Sequence, residues 1–246
     1  MLNRSVYNFG ASLYNANAEC SHIGLLEDKV VNKINSRILR QAHPVTHLSC
    51  ALKYNFQSLF RRQFRCSRPE WLWSLPRARS AKMRARDITL LQQIVRCQPF
   101  SLNDPRFCYT LDAWKPHLPS CKYVLIYNAP ARSGQEMISR LREIYRDAAP
   151  RMTIEQAIGV WCSMYRSAIH LLAQDEERTF ILRYKDLLSA SMRDKLSRFL
   201  SADLSTAHLD ERKANNTEER AHCHREAEEI SEQLERLREK SICRHK

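Results

Sequence analysis

Glycine is scarce: the chain has four in 246 residues. Loops that cradle a phosphate bring the backbone close to the anion and need positions without a Cβ, so a loop of that kind would have few of its usual parts here. Long apolar runs are missing as well. The longest, around Tyr123–Tyr127, is far short of the ~20 residues of a membrane span, and Met1–Ala11 carries no apolar core of signal-peptide length. Nine cysteines, an odd number, stand without paired spacings. That argues against a disulfide framework and for a reducing, cytoplasmic setting. There are no internal repeats.

What the chain does have is positive charge. Forty Lys and Arg against 27 Asp and Glu give a formal net charge of +13, which points to an anionic partner: a nucleotide, a nucleic acid, a sulfated or phosphorylated substrate, or a membrane surface. A local excess runs from Arg61 to Arg86. It reads either as a solvated basic face or as a nucleic-acid patch, and no nucleic-acid motif accompanies it. Hydrophobic residues make up 43% and charged residues 27%, enough to build a sizeable core.

Apolar residues spaced three to four apart predict helices over Leu25–Leu39, Leu48–Phe64 and Asp87–Val95, the last capped by Asp87. Arg68–Arg79, rich in Pro and Trp, reads as a loop. Lys122–Asn128 (KYVLIYN) is the clearest strand, bounded by Pro119 and Pro130, and Thr179–Tyr184 (TFILRY) is the second. Continuous apolar runs suit strands covered on both faces. Helices over Gly134–Tyr145 and Thr153–Ala173 lie between them, which is the order of a parallel crossover in an α/β fold. Residues 1–206 therefore read as one α/β domain and 207–246 as a charged helical tail. In that tail only Ala227, Ile230, Leu234 and Leu237 keep helical spacing. A helix from about Asp210 to Lys240 is expected to be largely exposed and detachable, so that removing everything after Thr206 leaves stability nearly unchanged.

Four segments carry a family resemblance. Ile23–Leu39 keeps Gly24, Glu27, Val31 and Asn35 of a G-[FY]-x-E-x-x-x-[IV]-x-x-x-N-x-x-[IL] pattern. Asp104, Pro105 and Arg106 match a K-D-P-R motif in which Asn103 replaces the lysine. Trp161 and Tyr165 fit a W-x-x-x-Y helix, and Arg183 to Leu188 (RYKDLL) fits R-Y-E-D-L-L. In this order, over roughly residues 23 to 200, they resemble the bacterial-type sulfotransferases. The resemblance implies a P-loop-like core with a parallel sheet flanked by helices. It also implies transfer of sulfonate from 3′-phosphoadenylyl sulfate to a hydroxyl or amine acceptor.

The departures from the family fall where the cofactor would bind. Its first loop reads like R-S-G-T-S after an apolar strand. The counterpart here, Asn3–Tyr7, keeps Arg4 and Ser5 but has Val6 for the glycine and no strand before it, as in an N-terminally truncated member. The second loop should carry an Arg at the strand end and a Ser eight residues later. Asn128 and Glu136 stand there instead, with Arg132, Ser133, Ser139 and Arg140 as displaced donors and Glu136 repelling a phosphate. Arg212 and Lys213 echo a basic nucleotide clamp. The resemblance assigns the catalytic cation to Arg4, whereas the general base is open among His43, His47, Glu27 and Asp104. Each lost charge-assisted hydrogen bond removes roughly 1.5–3 kcal/mol, so binding of the sulfate donor and its transfer are expected to be impaired. The alternatives are a non-catalytic sulfotransferase-like protein and a basic nucleic-acid or scaffold-binding protein.

Other readings are plainer. Trp161 and Tyr165 suit a core pair, and Arg183 and Asp186 suit structural ion pairing at a strand end. His222, Cys223 and His224, with Cys243 and His245, match no standard zinc spacing, so no metal site is expected from them.

Overall fold

The computed structural model describes residues 28–43, 81–96, 98–145, 152–204 and 224–245. The predicted helix at 48–64 and the loop at 68–79 lie outside them. The described elements are α1 (Lys29–Ala42), α2 (Ala85–Arg96), α3 (Phe107–Trp114), β1 (Tyr123–Tyr127), α4 (Pro130–Tyr145), α5 (Ile154–Leu172), β2 (Thr179–Arg183), α6 (Ala190–Leu200) and α7 (Arg225–Arg244). Helix predominates, and the two strands pair in parallel with Tyr123 opposite Thr179 and Tyr127 opposite Arg183. The class is α/β, as the crossover order predicts.

Local signals fix most helix ends. Asp28 caps α1 by accepting from the amides of Val30 at 2.7 Å and Val31 at 3.1 Å. Thr153 and Gln156 close a reciprocal capping box at the start of α5. Pro130 opens α4, where its missing N–H costs nothing, so this helix starts four residues before the predicted Gly134. Gly134 sits at the contact of α4 with α5. A Cβ there would lie 2.8 Å from Ile154 Cδ1, closer than the packing allows. Asp87 is not the cap of α2. It lies in the first turn, 2% exposed, and accepts from the Arg37 guanidinium of α1.

Helix α5 is the centre of the packing. One side meets α1, α2 and α3 through Val31, Ile34, Leu91, Tyr109, Trp114, Val160 and Met164. Another meets the sheet and α7 through Ile158, Trp161, Cys162, Ile169 and Ile181. Alternation along β2 sends Phe180 and Leu182 to the opposite face, where they pack on Leu196 and Phe199 of α6. The sheet thus has α5 and α7 on one face and α6 on the other. β2 is buried at four of its five positions, as predicted for a covered strand. β1 departs from that prediction: it is only half-buried and Val124 is exposed, because α7 lies on β2 rather than on β1.

The tail helix departs further from its expected state. Ala227, Ile230 and Leu234 are 3%, 5% and 0% exposed and belong to the same cluster as Trp161 and Ile181. The helix is therefore docked, not detachable. Its Ser241 hydroxyl accepts from the Ile181 amide at 3.1 Å and donates to the Thr179 carbonyl at 3.2 Å, so one side chain serves the outer edge of β2 as a neighbouring strand would.

A buried polar network joins the chain's early and middle parts. Arg106, 1% exposed, forks onto Asp104 through Nε at 2.8 Å and Nη2 at 2.9 Å, and Nη1 donates to Ser36 Oγ at 2.9 Å. Asn32 Nδ2 donates to Asp104 at 2.8 Å. Asn35 Oδ1 accepts from Thr110 Oγ1 at 2.7 Å and from Trp114 Nε1 at 2.8 Å. The D-P-R segment thus fastens α3 to the polar face of α1. Among the described residues, no helix is long and apolar enough to cross a membrane.

Candidate anion site at the carboxyl ends of the strands

In a parallel α/β sheet, ligands bind beyond the carboxyl ends of the strands, where following helices present their N-terminal amides. β1 ends at Tyr127 and turns through Asn128 and Ala129 into α4, whose first bond runs from the Ser133 amide to the Ala129 carbonyl at 3.0 Å. β2 ends beside it at Arg183 and enters a 3₁₀ turn, Tyr184–Leu188. Tyr127 and Arg183, partners in register, therefore stand side by side at this edge.

Helix α7 fills the edge with its own charges. Glu235 accepts from the Tyr127 hydroxyl at 2.5 Å and from the Arg183 guanidinium. Arg238, one turn on, forks onto Asp186 at 2.6 and 2.8 Å, and Asp186 also accepts from the Arg183 amide at 2.8 Å. Two guanidiniums thus meet two carboxylates. Burial pushes the Glu235 carboxyl up, but the hydrogen bonds from Arg183 and Tyr127 outweigh it and leave its pKa below the ordinary value. The Glu235 hydrogen bond raises Arg183, the Asp186 hydrogen bond raises Arg238, and burial followed by Glu235 raises the Tyr127 phenol. Tyr127, Arg183, Glu235 and Arg238 are thus each held in the protonation state that their hydrogen bonds require.

The aromatic residues serve packing. The Trp161 and Tyr165 rings pack with their centroids 4.7 Å apart and their planes tilted by 40°, and the Tyr165 hydroxyl donates to the Ile126 carbonyl at 3.1 Å. This is the core pair of the plainer reading. Burial raises the Tyr165 phenol, which stays a donor.

Of the sequence candidates, Asn128, Arg132 and Ser133 come together at the β1–α4 turn. Arg132 Nε is 3.1 Å from Glu136 Oε1, so the carboxylate expected to repel an anion also occupies the nearest cation. Ser139 is exposed, about 9 Å further along the α4 axis at 1.5 Å per residue, and does not join the turn. Asp104, a candidate base, is held by Arg106 in the buried network. His43 ends α1 as its C-cap. Arg4, Ser5, Glu27, His47, Arg212 and Lys213 lie outside the described residues. Sequence reasoning missed Glu235, Arg238 and Ser241, whose signal was their place on α7 beside the apolar stripe of Ala227, Ile230, Leu234 and Leu237.

No family model, curated protein or solved structure matches this chain.

Proposed function

We propose that the chain is a sulfotransferase-like protein whose capacity to bind 3′-phosphoadenylyl sulfate and transfer its sulfonate is impaired. What supports the family side of this reading is the order of the four motifs on a parallel strand pair, with a strand-to-helix turn at Asn128–Pro130 where the family holds a phosphate. What supports the impairment is a single observation. Three described guanidiniums at the strand ends, Arg132, Arg183 and Arg238, each face a carboxylate of the chain itself.

An incoming phosphate would have to displace Glu136 or Glu235 before gaining a guanidinium, and each exchange returns little net energy. The residues at the described half of the site therefore fit the nucleotide poorly. The deviation at Asn128 acts in the same direction, because an amide replaces the cation that the family places at the strand end.

Titrating the full chain calorimetrically with adenosine 3′,5′-bisphosphate tests the reading. The expected result is binding no tighter than millimolar, about 4 kcal/mol. Micromolar binding that disappears in Arg132→Ala would show a working phosphate site and overturn the impairment. Micromolar binding unaffected by Arg132→Ala would place the nucleotide elsewhere and overturn the assignment of the turn.

A further inference from the structure

We infer that Cys162, His224 and Glu226 form a binding site for one zinc ion that fastens the start of α7 to α5. The sulfur, the imidazole nitrogen and the carboxylate oxygen of these residues lie within 4.8 Å of one another. Ligands of tetrahedral zinc stand roughly 3.3–3.8 Å apart, given metal–ligand bonds of about 2.0–2.3 Å. A side-chain shift of roughly 1 Å thus closes the site around an ion of that size.

The second observation is at His224. This residue occupies the N-cap of α7, where Ser, Thr, Asp or Asn is preferred, and its side chain makes no capping hydrogen bond. Its Nδ1 is buried and, among the described residues, has no hydrogen-bond partner. A buried, unpaired ring nitrogen is costly in a protein of this kind. A metal would resolve that cost, because a neutral imidazole nitrogen is a metal ligand.

The donor set selects the ion. Cys162 is 1% exposed among Ile158, Trp161 and Ile230, and Glu226 is the one oxygen-donating residue of the set, which disfavours cations needing a full shell of oxygen ligands. One thiolate, one imidazole and one carboxylate suit zinc, with the fourth position left to water. The thiol gives up its proton as the sulfur–zinc bond forms, so binding releases one proton to solvent. The resulting thiolate and the Glu226 carboxylate then balance the two charges of the ion. Arg166, now paired with Glu226, remains in reach of the carboxylate oxygen that the metal does not take. The site joins residues sixty-two apart in sequence, which is why the local His and Cys spacings of the tail do not reveal it.

The test uses the full chain stripped with a chelator and titrated with zinc, then with cobalt as a coloured substitute. One equivalent of metal is expected to bind, cobalt adding a thiolate charge-transfer band and zinc raising the melting temperature. Cys162→Ser should abolish the band. His224→Gln, at the half-buried start of the helix and outside the apolar core, should weaken binding at least tenfold, while Cys243→Ser on the exposed side of α7 changes nothing. No band in the unsubstituted chain overturns the proposal. So does a band that survives Cys162→Ser, which would assign the metal to other thiols, or a metal affinity left unchanged by His224→Gln. Should Cys162→Ser fail to fold, His224→Gln decides alone.

Discussion

Arg106→Met is expected to lower the unfolding free energy by about 3–5 kcal/mol, the usual cost of stripping a buried carboxylate of its partner. The substitution keeps an unbranched side chain of similar length, so little of the effect comes from packing. It leaves Asp104, 4% exposed, with Asn32 Nδ2 as its one described side-chain donor, and it leaves Ser36 without the Nη1 hydrogen bond. Against a total stability of roughly 5–15 kcal/mol, such a loss is a large share of the whole, and the urea midpoint falls in proportion. Replacing both partners, as Asp104→Leu with Arg106→Met, is expected to cost clearly less than the sum of the single changes, because no orphaned charge remains. A single-variant loss under about 1 kcal/mol would show that the pair is solvated in the native protein.

Removing α7 is the second large effect. A chain ending after Cys223 loses the contacts of Ala227, Ile230 and Leu234 and leaves the Ile181 amide and Thr179 carbonyl without Ser241. It also strands Arg183 and Asp186 without Glu235 and Arg238. Each fully buried aliphatic side chain is worth about 1.5–3 kcal/mol, and an unsatisfied buried polar group costs about 1–3 kcal/mol more. The expected outcome is loss of the cooperative thermal transition. Leu234→Ala alone should cost about 2–5 kcal/mol, since the side chain is wholly buried. A truncated chain melting within a few degrees of the full one would return α7 to the detachable state that its sequence suggested.

The contrast between those two regions explains what the sequence made legible. The strands and α5 are written in local patterns: KYVLIYN and TFILRY are continuous apolar runs, and Thr153 with Gln156 marks a helix start by itself. Parallel pairing follows from the connecting helices. The D-P-R segment was visible as a motif, but its burial was not, because Asn32 and Ser36, some seventy residues earlier, complete its hydrogen bonds. α7 was misjudged for a related reason. Its apolar stripe is narrow, and the remainder of its docking surface is polar: Glu235, Arg238 and Ser241 find matched partners on β2 and the turn after it. Periodicity counts apolar positions and is blind to polar complementarity. At the candidate anion site, the sequence showed Arg132 and Arg183 near the strand ends with Glu136 beside the first, whereas the carboxylate that occupies Arg183, Glu235, comes from a helix 52 residues away.

The bridge at Ser241 carries one more consequence. In the docked state the Ile181 amide is shielded by a single hydroxyl from a helix, not by a strand that must unzip along its length. Its hydrogen can exchange for deuterium when the last turns of α7 fray from β2, an opening local to Ser241, while the amides between β1 and β2 stay protected. The exchange rate of that one position, set against its neighbours in the strand, is a built-in gauge of how often the helix lets go.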